Sequence, residues 1–139
     1  MSVAFDNRFG AAAREIDAAA SKLVRETALE IESDIKADMA GAKHGRTYRR
    51  RRTRDSKGRF VKRGSAVTHT ASAPGEAPAI DTGALANSVQ AEMDGPLAAE
   101  IGTPQEYAPP LEGEMNRPAF GRASKKAGRV FQRRAERLK

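Results

Sequence analysis

From Asp6 to Ala40 the chain keeps one helical rhythm without a break, and no other stretch commits so many residues to one element. Phe9, Ile16, Ala20, Leu23, Thr27, Ile31, Ile35 and Met39 recur at steps of three, four or seven, and Val24 and Ala28 widen the stripe. That spacing puts them on one face of a helix, with acids and bases on the others. Residues 6–40 are read as one long helix, with Asp6 placed to cap its start and Gly41 to end it. The stripe is read as a core or subunit-packing face.

The rest of the sequence offers little to cover so long a stripe. Apolar residues make up 39% of the chain, but many are alanine, and there are only five Phe, two Tyr and no Trp. One domain of 139 residues built this way does not supply a thick core, so part of its stability is expected from partner subunits. There is no cysteine, hence no disulfide and no thiol nucleophile. The two histidines, His44 and His69, have no metal-ligand spacing, and no cofactor or metal is expected. No apolar run reaches the ~20 residues needed to span a bilayer, and the N-terminus shows no signal-peptide pattern. A soluble chain made in a cytoplasm, without membrane contact, is the expectation.

Charge is sorted along the chain. Residues 43–63 hold eleven Lys or Arg against the single acid Asp55, and residues 117–139 hold nine against Glu136. Residues 64–116 hold eight acids and no Lys or Arg, and residues 1–42 carry eight acids and five bases. Segregation of this kind points to contact with a polyanion or between copies of the chain.

Within the first basic block, Asp55-Ser56-Lys57-Gly58 has turn chemistry, with Thr47-Tyr48 before it and Phe60-Val61 after it. Residues 43–68 are read as an inserted basic β-hairpin arm. Residues 69–80, rich in Pro, Gly and Ala, are read as an extended segment. Thr82–Ser88 follows as a short helical turn. "SVQAEM" and "LAAEIG" alternate as two strands around an Asp94-Gly95-Pro96 turn. Tyr107–Leu111 is a short helix or turn interrupted by Pro109-Pro110. From Pro118 a last helix carries Phe120, Ala123, Ala127, Val130, Phe131, Ala135 and Leu138 on one side. The fold class is α+β in one domain over 1–139: long N-terminal helix, small antiparallel sheet, inserted arm, C-terminal helix.

The run "AIDTGAL" has the Asp-Thr-Gly of a retroviral-type aspartic protease, in which two close carboxylates share a proton. Here a Pro/Ala-rich segment precedes Asp81 and a helical one follows Gly83, with no glycine-rich flap. Asp81 is read instead as the N-cap of Thr82–Ser88, and no catalytic residue is assigned.

Taken together, "ASAPGEAPAIDTGALANSV", "IGTPQEYAPPLEGE" and "RPAFGRA" resemble a family of neck proteins of long-tailed bacteriophages. Its members are labelled head–tail joining, tail completion, minor tail or morphogenesis proteins. The matching positions are Ser72, Pro74, Gly75, Pro78, Asp81, Thr82, Gly83, Leu85 and Ser88, then Gly102, Tyr107, Ala108, Glu112, Arg117 and Pro118. They cover residues 69–123. The family aromatic after Glu112 is absent, and Phe120 falls one residue late.

The resemblance implies a non-enzymatic virion protein assembled in the bacterial host cytoplasm. It implies a homo-oligomeric ring, expected to be six-fold, in the neck between head-completion or connector proteins and tail proteins. The alternatives are a tail terminator in the same particle and a free, sequence-independent DNA-binding protein. Arg46, Arg49, Arg50, Arg51, Arg52, Arg54, Lys57, Arg59, Lys62 and Arg63 of the arm are the candidate contacts to genomic DNA in the channel or to neighbouring proteins. Both readings of the arm stay open at this point. Candidate subunit-interface residues are Arg129, Arg133, Arg134 and Arg137 on the basic side and Glu106 and Glu112 on the acidic side. The expectation is that the acidic middle segment of one subunit meets the basic helix or arm of another. Pro74, Gly75, Asp81, Gly83, Leu85, Tyr107 and Pro118 are the structural motif.

Overall fold

The long helix α1 spans Phe9–Ala40 in a computed structural model that describes residues 9–51, 53–62, 64 and 66–138. The proposed cap, Asp6, lies outside the described residues. At 1.5 Å per residue α1 is about 48 Å long. Its stripe is buried at Leu23, Thr27, Ala28, Ile31, Ile35 and Met39. Thr27, the polar member, donates its hydroxyl to the Leu23 carbonyl at 2.8 Å, so nothing polar is stranded there. The helix stops where expected, with the Gly41 N–H on the Ala37 carbonyl. Residues 9–19, in contrast, are exposed throughout, and Ile16 keeps 67% of its surface.

The C-terminal helix, α4 (Phe120–Glu136), lies antiparallel along the buried part of α1. Ala123 and Val130 face inward, while Phe131 remains 42% exposed. The sequence reading put Phe131 on the packed side. Adjacent helical residues point about 100° apart, and Val130 takes the inward position. Ion pairs run down the seam: Lys126 to Asp38 at 3.8 Å, Arg134 to Glu26 at 3.0 Å and to Glu30 at 2.5 Å, and Arg133 to Glu30. Two of the bases expected at a subunit interface, Arg133 and Arg134, thus pair within the chain, with acids of α1 rather than of the middle segment.

Between the two helices the chain forms small pieces. β1 (Thr47–Arg51) pairs antiparallel with β2 (Ala66–Thr70), Thr47 opposite Thr70 and Arg51 opposite Ala66. The arm therefore closes at residue 70 rather than 68, and Tyr48 pairs with His69. Phe60 is bridged to Arg54 near the tip, not to the base of the arm. The turn chemistry holds. Asp55 Oδ1 accepts the N–H groups of Lys57 and Arg59, each at 2.9 Å, and Gly58 has φ 77°.

After the 71–83 segment come α2 (Ala84–Ser88), then β3 (Gln90–Met93) and β4 (Ala99–Gly102), antiparallel to each other. The two strand pairs are separate sheets. β3–β4 rests on α1, and its exposed-edge Ala91 N–H is taken by the Glu32 carboxylate at 2.9 Å. α3 (Ala108–Glu112) carries Pro109 and Pro110 in its first turn, where a missing N–H has no partner to lose, so they start the helix rather than interrupt it.

The core is narrow. Ile31, Ile35 and Met39 meet Val89, Val130 and the alanines 77, 86, 119 and 123. Ile35→Ala is expected to lower the unfolding free energy by about 2–4 kcal/mol and Ile16→Ala by less than about 0.5 in dilute solution. Urea unfolding of the two variants checks this. Each seam ion pair is partly exposed and worth at most about 1 kcal/mol. Reversing Arg133 and Arg134 to Glu should lower the melting temperature, and adding Glu26→Lys and Glu30→Lys should recover most of the loss. An unrecovered loss would mean that the arginines act through their stems.

Candidate functional site

The arm joins the body through a compact set of polar contacts. Gly45 N–H reaches the Ala71 carbonyl and Ala71 N–H the Arg46 carbonyl, both at 3.0 Å, which carries the ladder below β1. A Cβ on Gly45 would stand 2.5 Å from the Ala71 oxygen, so the backbones approach too closely for any other residue. Beside this crossing the Glu76 carboxylate gathers three donors. It accepts Ala73 N–H at 2.7 Å and His44 N–H at 3.1 Å, and it meets His44 Nδ1 at 2.6 Å. Those bonds, Ala73 N–H first and then the His44 ring, hold the Glu76 carboxyl down to about 2. The second histidine, His69 of β2, has Nδ1 3.9 Å from Asp81. Lys43, next to His44, donates to the Asp38 carbonyl at the end of α1, and burial pushes its ammonium down.

Along the arm the basic side chains fall into two groups. Arg46 stacks on Tyr48 at 5.4 Å and Arg54 on Phe60 at 4.2 Å. Arg54 also donates to the Gly58 carbonyl at 2.9 Å, and Arg59 pairs with Asp55 at 3.3 Å. These hold the tip together. Arg49, Arg51, Lys57 and Lys62 are exposed and have no carboxylate partner among the described residues. Arg50 stands opposite Val67 in the register, and Arg52 and Arg63 lie outside the described residues.

A groove of about 350 Å³ opens between the arm root, the segment before α2 and α3. Pro78, Asp81, Gly83, Leu85, Tyr107 and Arg117 are among its lining. These positions lie up to 39 residues apart in sequence, and the fold brings them to one concave surface. Tyr48, Ile80, Tyr107 and Met115 present large exposed apolar area there. Gly75, with φ 87°, donates to the Asn116 carbonyl at 2.7 Å, and Arg117 N–H to the Leu111 carbonyl at 2.8 Å. These bonds tie the Pro-Gly turn to the α3–α4 connection. Pro118 is half-buried in that connection and Pro74 is exposed at the turn.

Asp81 does not cap α2. Gly83, with φ 84°, is the residue before the helix and no side chain caps it. Thr82 Oγ1 accepts from Ala84 N–H at a long 3.3 Å. The left-handed glycine turns the chain between Asp81 and α2, which leaves the carboxylate on the groove facing His69. Ser88 Oγ, at the end of α2, lies 2.7 Å from Thr103 Oγ1 just after β4.

Of the residues assigned to a subunit interface, Arg133 and Arg134 face α1, as described above. Glu112 is engaged too: its carboxylate accepts the N–H groups of Ala119 at 2.8 Å, Phe120 at 3.3 Å and Gly121 at 2.6 Å. It is the cap of α4, supplied from α3, and a negative charge there also favours the helix dipole. Arg129, Arg137 and Glu106 are exposed. Glu76 and His44 were not singled out by the sequence. Glu76 sits at an unassigned position of the Pro-Gly-x-x-Pro run, and its partner is 32 residues away. Among the described residues no group of three or more His, Asp or Glu is arranged to hold a metal, and no helix is long and apolar enough to cross a membrane.

Comparison with protein-family models, with curated proteins and with solved structures finds no match to this chain.

The lowered Glu76 carboxyl fixes a pH window. A carboxyl held below its ordinary 4.5 stabilises the arm root fully above that value and loses the effect as pH falls toward about 2. The protection of the Ala73 and His44 amides, taken relative to the intrinsic exchange rate at each pH, should therefore fall between those limits while the α1–α4 seam stays protected. In Glu76→Gln that protection should be low already at neutral pH and should not change further with pH. Unaltered protection in that variant would remove Glu76 from the hinge.

Proposed function

We propose that this chain is a structural protein of the neck of a tailed bacteriophage or phage-like particle, assembled from copies of itself into a ring that joins head to tail. The observation that carries the reading is the groove. Eight of the fifteen residues that gave the resemblance, Ser72, Pro78, Asp81, Thr82, Gly83, Leu85, Tyr107 and Arg117, converge on one largely apolar groove. A patch of that character on a small chain marks a surface for another protein.

A second feature favours self-assembly over a single foreign partner. The N-terminal part of α1 exposes the same stripe that its other end buries, Ile16 included. Two different apolar surfaces on one chain are what a head-to-tail contact between copies uses, and contacts of that type close into rings. The narrow core points the same way, because a subunit that buries little alone gains from burying more against its neighbours. The role proposed is mechanical, with no chemistry assigned to Asp81.

Electron microscopy of particles made without this gene tests the reading. Filled heads accumulating beside separate, finished tails are the expected result. Overlong, headless tails would instead move the protein to the end of the tail tube. Normally joined particles would overturn the neck reading, and a free DNA-binding role would take its place.

A further inference from the structure

The eight carboxylates between residues 64 and 116 divide by what they touch, with Glu106 and Glu114 standing singly and exposed at either end of α3. Glu76 and Glu112 are held by backbone N–H groups at the arm root and at the start of α4. Asp81 faces His69. Glu92, Asp94 and Glu100 are gathered elsewhere, by the register of β3–β4. Glu92 stands directly opposite Glu100, and Asp94 follows Glu92 by two positions, on the same face. Ala91 and Ile101 form the other face, toward α1.

The outer face is therefore acidic, and it lines a shallow cleft of about 380 Å³ that reaches Ser88 and Thr103. Glu92, Asp94 and Glu100 are exposed, and none has an ion pair or hydrogen bond through its carboxylate among the described residues. Like charges directly across an antiparallel pair repel. A cation brought to this face relieves that repulsion.

The cations that match it in spacing are on the arm. Of the other basic block, Arg133, Arg134 and Lys126 are engaged on Glu30, Glu26 and Asp38 of their own chain, and Arg122, Lys125, Arg129 and Arg137 are exposed on α4 or at its end rather than on a strand. On the arm, Arg49 and Arg51 are exposed without a carboxylate, two positions apart on one face of β1, roughly 7 Å along the strand. Directly opposed carboxylates lie at a comparable spacing, about 5 Å between Cβ atoms. No ion pair joins the arm to β3–β4 within the chain among the described residues.

We propose that the arm of one copy lies across the outer face of β3–β4 of the next copy, with Arg49 and Arg51 against Glu92 and Glu100. This rests on the self-assembly proposed above and names the surfaces that make it. The contact is charge-assisted at a water-exposed face, so it weakens as salt screens it.

The test uses charge exchange in the full chain. Glu92→Lys with Glu100→Lys reverses the face, and Arg49→Glu with Arg51→Glu reverses the arm. Circular dichroism first checks that both fold, and the corresponding Gln variants supply a milder pair if either does not. Sedimentation at low and high salt then reads the mass. Each reversed variant alone should associate at least tenfold more weakly than the unaltered chain. An equimolar mixture should regain assembly, because a reversed arm then meets a reversed face and subunits alternate.

Assembly of both variants like the unaltered chain would overturn the contact while leaving the ring reading intact. So would a loss that mixing does not repair. An unaltered chain that stays monomeric at every concentration and salt would remove the ring reading itself, and this contact with it. An arm variant of normal mass that no longer binds a 30-base-pair duplex would assign the arm to nucleic acid instead.

Discussion

The antiparallel seam between α4 and the C-terminal part of α1 is the contact on which the other elements depend. Isolated two-stranded hairpins and five-residue helices do not hold their shape in water. Each small piece of this fold gains order by resting on that seam or on something fixed to it. β3–β4 lies on α1 and is latched by the Glu32 carboxylate. α2 enters the core through Ala86, with Leu85 packed at its margin, and α3 supplies the carboxylate that starts α4. Glu112 is central to that arrangement. One side chain satisfies three N–H groups at the start of a helix that begins eight residues later, so α3, the loop and α4 are held as one unit. Gly121 leaves room for it, since a Cβ there would come within 2.9 Å of the carboxylate and the Glu112 side chain would have to shift.

The seam is long enough for only part of α1. α4 has 17 residues to α1's 32, and the difference is the exposed end of α1. The same shortage shows in the core, where alanines occupy positions that leucine or phenylalanine would fill in a self-sufficient domain. A chain built this way keeps its fold through one seam and leaves apolar surface at both the N-terminal part of α1 and the groove.

Much of this was legible in the sequence. Helical periodicity gave α1 and α4, and alternation with an Asp-Gly-Pro turn gave β3–β4, whose Gly95 has φ 94°. Signals of that kind are local, and the structure follows them closely. Most of the misses involve partners distant in sequence. The arm was paired around its visible turn, yet Tyr48 meets His69, 21 residues on, because the ladder continues below the hairpin through Gly45 and Ala71. Asp81 looked like a cap since it precedes a helix, and the left-handed Gly83 between them decided otherwise. Glu112 and Arg134 looked like interface charges because a sequence does not show that their counterparts lie on the same chain.

That last miss changes how the charge blocks are to be understood. A net charge per segment treats every carboxylate and every guanidinium as equally available, whereas the fold withdraws those that meet a donor or acceptor nearby. Of the basic C-terminal block, the part facing α1 is neutralised internally, and of the acidic segment, Glu76 and Glu112 are bound to backbone. What remains is exposed cations along one hairpin and on the solvent side of α4, and carboxylates at Glu106, at Glu114 and on one face of a second hairpin. Both hairpins are two-stranded, and the cationic one is anchored at its root by a glycine crossing and one glutamate. An arm fixed so narrowly keeps its orientation relative to the body through very few bonds. Its position in an assembly is then set as much by the surface it meets as by the chain it belongs to.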